Sequence, residues 1–288
     1  MIIKKIQHNI IAGLLLLGVT ATAAQLQPDA KPLIVTSIKP LAIIAKSAVG
    51  DAADVQYLMP ASQSPHDFTL PVSALKKIAA ADLVIWIGAG FETRSAKTMA
   101  KLSNDKLLTT IDLPLAQPQN QEPSENDDHS MEVDPHLWLN PDNGNKIAAE
   151  IQARLGLPLK EIINRQHLSR LKSELAAIDD KTYLSHHQAY AHFAAAFDLK
   201  PGLSIRNASG GAQGAKTQYR LRSSIEKTNV SCVFVEPQYQ DKDAAIIAAE
   251  YGLPLVPLDP QGLSQSMSDR AYSEFIGTLV AQFKACFQ

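Results

Sequence analysis

Eight short runs rich in β-branched and apolar residues recur along the chain, and each is followed by a longer stretch of helical period. The first four are LIVTSI (33–38), DVQYLM (54–59), LVIWIG (83–88) and LLTTID (107–112); the second four are TYLSH (182–186), GLSIR (202–206), CVFVE (232–236) and PLVPL (254–258). Strands that alternate with helices pair in parallel, because each helix returns the chain to the same end of the sheet. The expected fold is α/β, with two similar lobes, each a parallel sheet flanked by helices. Pro40 and Pro71 fit helix N-termini, where a missing backbone donor costs nothing. Between the two sets lie segments 142–155 and 160–181, both helical in period and separated by Gly156 and Pro158. Ile162, Ile163, Leu168, Leu171, Leu175 and Ile178 give the second an apolar stripe. It is therefore expected to form a long linking helix, a rigid strut that limits lobe motion.

The N-terminus reads separately. Lys4 and Lys5 precede an apolar run from Ile10 to Val19, and small residues follow at Ala21, Thr22, Ala23 and Ala24. That is the pattern of a secretory signal peptide over 1–24, and its apolar run is too short to span a bilayer. No cysteine follows the run, so no lipid anchor is expected. The remainder divides into an N-terminal lobe (25–158), the linking helix (159–181) and a C-terminal lobe (182–288). With 27 basic and 29 acidic residues the chain has no excess of positive charge, which argues against nucleic acid as a partner. In an exported chain the even cysteine count favours a Cys232–Cys286 disulfide over two buried thiols, and no CxxC spacing supports a thiolate metal site.

In open α/β sheets ligands bind beyond the carboxyl ends of the strands. That rule selects His66 in SPHDF, His136 in DPHLWLNP, His187 in SHHQAY and Asp259 in PLDPQG, two groups from each lobe. Three imidazoles and a carboxylate suit zinc, which takes four ligands tetrahedrally, whereas calcium and magnesium prefer oxygen alone. Singly, each has a plainer role: His66 capping a helix, His136 packed beside Trp138, Asp259 starting a turn. Strand alternation sends His186 to the face opposite His187, so one of the two is expected to ligate. His167 and His192 fall on expected helices, where a solvated or core-edge histidine is the default. Asp67, Asp134 and Glu236 are available to bond the second ring nitrogens of ligating histidines. The polar stretch 116–132 carries only His129 and is expected to be a mobile surface loop.

Taken together, SPHDF, DPHLWLNP, HQAYAHF, VFVEPQY and LDPQG resemble, in order and approximate spacing, the cluster A-I metal-binding proteins of bacterial ABC importers, most closely their ZnuA-like zinc branch. The resemblance spans nearly the whole mature chain. It implies two lobes joined by a long helix, a periplasmic protein that is not an enzyme, a zinc ion in the cleft as transported ligand, and delivery to a membrane permease by a monomer. The family's ligands match His66, His136 and His187. The manganese branch has an acid at the third position, so His187 favours zinc. The fourth ligand varies, and Asp259 matches an aspartate position with water as the alternative; Pro65 stands where some zinc members have glutamate. Cys232 and Cys286 resemble the disulfide of proteobacterial zinc proteins. Many zinc members have a histidine-rich loop where this chain has only His129, so a loop reservoir is not expected. The competing readings are a binder of manganese or another divalent metal, an exported zinc hydrolase, which would lack HExxH, and a binder of an organic solute or an adhesion module without metal.

Overall fold

A computed structural model describes residues 30–64, 68–118, 133–208, 210–239 and 242–288. The expected signal segment, His66 with its neighbours Pro65 and Asp67, and most of the polar loop with His129 lie outside the described residues. The first half runs β1 (Leu33–Thr36), α1 (Lys39–Val49), β2 (Asp54–Tyr57), α2 (Val72–Ala80), β3 (Leu83–Trp86), α3 (Ala96–Met99) and β4 (Leu107–Thr109). A 3-10 turn, Leu137–Leu139, leads into α4 (Pro141–Arg154), and α5 (Arg165–Leu175) follows. The second half runs β5 (Thr182–His187), α6 (Ala191–Ala196), β6 (Leu203–Arg206), α7 (Ala215–Lys227), β7 (Val230–Val235), α8 (Lys242–Tyr251), β8 (Leu255–Pro257) and α9 (Ala271–Ala285).

All eight strands form where the apolar runs lie, in two parallel sheets of equal topology, β2-β1-β3-β4 and β6-β5-β7-β8. The inner strands β1 and β3 are buried almost throughout, which is why they read as unbroken apolar runs. The edge strand β2 alternates exposed with half-buried residues. In each sheet the chain leaves its first strand in one direction and later crosses to the other side, so a crevice opens between β1 and β3 and between β5 and β7.

One apolar core serves both sheets, joining Ile43 and Ile44 of α1 and Trp138 to Tyr183, Phe234, Tyr272 and Phe283. α1 packs on both α4 and α9. The Trp138 indole donates to the Pro260 carbonyl at 2.8 Å, and the Tyr272 hydroxyl donates to the Trp138 carbonyl at 2.9 Å. Gly144 makes room for that hydroxyl, since a Cβ there would lie 2.2 Å from it. The disulfide Cys232–Cys286, with Cα atoms 5.5 Å apart, ties the end of α9 to β7, an inner strand of the second sheet. No described helix is long and apolar enough to cross a membrane.

The segment 160–181 departs from the expected continuous helix. It is helical only over Arg165–Leu175, with a 3-10 turn at Ala176–Ile178. The cause is a competing acceptor: the Asn145 side chain takes the backbone N–H groups of Ile162 and Ile163 at 2.9 and 3.2 Å and donates to the Ile163 carbonyl. Asn164 then starts the helix afresh by accepting from the His167 N–H at 2.8 Å. An 11-residue helix is about 16 Å long, too short for the strut pictured from the sequence. What braces the two sheets is instead their shared core.

Candidate metal centre

In the second sheet the crevice lies between β5 and β7. β5 ends on His186 and His187, and Glu236 is the first residue beyond β7. The three side chains are buried. Glu236 Oε1 accepts from His187 Nδ1 at 2.6 Å, and its Oε2 accepts from Gln238 at 2.6 Å. The Tyr190 phenol is pushed well above its ordinary value by burial and then by the charges of Glu236 and Asp259.

The first half supplies His136 from the turn that precedes α4. Asp134 Oδ1 accepts both the His136 backbone N–H at 3.0 Å and its Nδ1 at 2.8 Å, so one carboxylate sets the turn and the ring together. Burial works to raise the Asp134 carboxyl, but His136, by charge and hydrogen bonding, and then His192 outweigh it and hold it below its ordinary value. His192 is fully buried on α6, with Nε2 3.0 Å from the Asp134 carbonyl oxygen. The solvated or core-edge role expected from its helix is thus replaced by support of the Asp-Pro-His turn.

The two rings meet edge on, with His136 Nε2 and His187 Nε2 3.2 Å apart. Each Nδ1 faces a buried carboxylate, which fixes the ring and turns its Nε2 toward the other imidazole. Neighbouring nitrogens around a tetrahedral zinc, bound at about 2.0–2.1 Å, are roughly 3.3 Å apart.

Asp259, the fourth expected group, is buried, and its own loop engages both oxygens: Gln261 N–H donates to Oδ1 at 3.0 Å and Leu263 N–H to Oδ2 at 2.6 Å. Burial raises its carboxyl, against the lowering pull of those N–H groups and of Lys39. Lys39 in turn donates to the Leu263 carbonyl at 2.8 Å.

His186 corrects the alternation argument. It does not turn away from His187: His186, His187 and Glu236 each present a donor atom, all within 4.8 Å of one another. Pairing of β5 with β7 ends at Ser185, so nothing on that side enforces the pleat at the last two residues. Tyr239 lies against His186 with ring centroids 4.4 Å apart. Burial pushes the His186 imidazole down to about 4, so it is neutral at neutral pH.

Glu92, which no local sequence pattern marks, sits beyond β3 at the first crevice. Its Oε2 accepts the Ile87 N–H at 2.8 Å, and burial pushes its carboxyl up to about 7 against the pull of Ser37, Ile87 and Gly88. An unfolded glutamate ionises near 4.5, so the stability this group contributes is fully present below that pH and is lost as pH rises through about 7. Glu92→Gln keeps the acceptor without the charge. Above pH ~8 it is expected to be more stable than the parent by about 3 kcal/mol, with no difference near pH ~4. Denaturant unfolding at both pH values checks this, and a pH-independent difference would mean that Glu92 is ionised in the fold.

Residues 34–158 and 164–286 match the family described as zinc-uptake complex component A, periplasmic. The high-affinity zinc uptake system protein ZnuA of Haemophilus ducreyi is 29% identical, with 95% of this chain and 96% of that protein covered. The protein of the same name from Yersinia pestis is 25% identical, with 90% and 92% covered. The periplasmic zinc binding protein TroA of Treponema pallidum shares the two-lobed fold at a TM-score of 0.73 and 18% identity, over 89% of this chain and 99% of that one. The family match takes in both sheets and the turns that carry His136, His187 and Asp259: the chain belongs to the family of periplasmic zinc-uptake components, which are substrate-binding proteins of importers and not enzymes.

Proposed function

We propose that the protein captures one zinc ion between its two lobes and delivers it to the membrane permease of an ABC importer. The observation that carries the reading is the pair of imidazoles whose Nε2 atoms face each other at 3.2 Å, each ring held from behind by a buried carboxylate. His136 and His187 are the core of the ligand set, completed by His66 and by Asp259, whose carboxylate would leave its loop N–H groups to reach the ion; water is the alternative fourth ligand. An imidazole at position 187 favours zinc over manganese, a harder ion that prefers oxygen. The lobes are residues 25–158 and 182–288, with 159–181 connecting them. Export follows cleavage of a signal peptide over 1–24, and the mature chain acts as a monomer without a lipid anchor.

Native mass spectrometry of the mature chain, together with calorimetric titration after chelator treatment, tests the reading. One zinc per chain is the expected result. A stoichiometry near zero, or preference for manganese at equal concentration, would overturn it.

A further inference from the structure

We propose that His186, His187 and Glu236 form a second zinc position that belongs to the second lobe alone. The inference rests on the metal-binding reading above and extends it to two residues outside the expected ligand set, His186 and Glu236. The three side chains are buried, come from the adjoining ends of β5 and β7, and bring one donor atom each within 4.8 Å of the other two. Two imidazoles and a carboxylate make a donor set suited to a borderline ion such as zinc, with one position left for water. Nothing from the first lobe is needed to build it.

His187 is common to both positions. Its Nε2 faces His136 at 3.2 Å and its Nδ1 faces Glu236 at 2.6 Å. With zinc on the His136 side, the ring proton is on Nδ1 and is donated to Glu236. With zinc on the His186 side, Nδ1 is a ligand and the same proton moves to Nε2, where it is donated to His136 Nε2. No net proton is gained or lost, and one ring cannot serve both ions as a neutral imidazole. The positions therefore exclude each other, and the chain holds one zinc in either. Tyr239 frames this second position: its ring lies against His186 at 4.4 Å and at 5.6 Å from His187, and its hydroxyl is 3.0 Å from the hydroxyl of Ser64 in the first half of the chain. An ion held by one lobe can thus pass to the two-lobed site by a short step around one imidazole.

The test is zinc titration by chelator competition on the full mature chain, with the His136→Ala variant as the background. That variant is expected to keep one zinc at roughly a hundredth of the parent's affinity. Adding His186→Ala should weaken binding at least tenfold more. His186→Phe, which keeps a ring against Tyr239 and removes the donors, should give the same loss, and this separates ligation from folding. Equal affinity with and without His186 in the His136→Ala background would overturn the second position, as would loss of all measurable zinc in His136→Ala alone. Parent-like affinity in His136→Ala would instead count against the two-lobed site, and the effect of His186 would still be read independently.

Discussion

Zinc affinity is expected to fall on the order of 10²–10³-fold in His187→Ala, the largest effect of any single substitution. Structural zinc sites are worth about 10–16 kcal/mol at neutral pH, so one ligand of four carries roughly 3–4 kcal/mol. His187 loses more than its own bond, because its removal takes away the Nδ1 partner of the buried Glu236 carboxylate, which keeps the Gln238 amide. Losing one hydrogen bond from a buried carboxylate disfavours the folded site further. His136→Ala removes the facing nitrogen and leaves the second lobe's donors in place, so its loss should lie at the lower end of that range. His167→Ala is the control, since His167 lies on α5 beside Arg170 and Ser273. His192 is unsuitable as a control because it holds the Asp134 backbone behind His136. Chelator competition measures all three, and an affinity within threefold of the parent in His187→Ala would remove that residue from the site.

The strands were legible because inner parallel strands are buried on both faces, so LIVT and LVIW announce themselves as apolar runs. The helix period over 160–181 was equally visible and misled. Periodicity reports which face is buried but not where backbone N–H groups bond, and Asn145, 17 residues before Ile162, claims them first. The candidate site divides along the same line. Asp134 is two residues from His136 and was readable as its partner. Glu236 is 49 residues from His187 and was readable only through the rule that strand ends converge. The direction of His186 escaped the pattern because alternation holds only while a strand is paired on both sides, and β5 loses its β7 partner after Ser185. The protonation of Glu92 is set by burial, which no local pattern in GFET encodes.

Cys232→Ser/Cys286→Ser is expected to destabilise the apo protein by roughly 4 kcal/mol, the chain-entropy value for a loop closed across 54 positions. The bond's placement makes the loss global. Cys286 ends α9, whose Tyr272 and Phe283 belong to the core shared by both sheets, so a loosened α9 exposes that core. Zinc acts in the opposite direction by a separate route. Bound between groups from the two halves, it cross-links the folded state only, and at free zinc ~1,000 times the dissociation constant it adds about 4 kcal/mol. The two terms are similar in size and opposite in sign. The serine variant with saturating zinc should therefore unfold near the midpoint of the parent without zinc, and each change alone should move the melting temperature by roughly 10 °C. Calorimetry on the four combinations measures both terms and their coupling. Additivity would mean that β7, which carries Cys232 and leads directly into Glu236, holds its shape without the disulfide. If zinc instead stabilised the serine variant much less than the parent, the bond would be needed to keep Glu236 behind His187, and the disulfide would be part of the metal site's support.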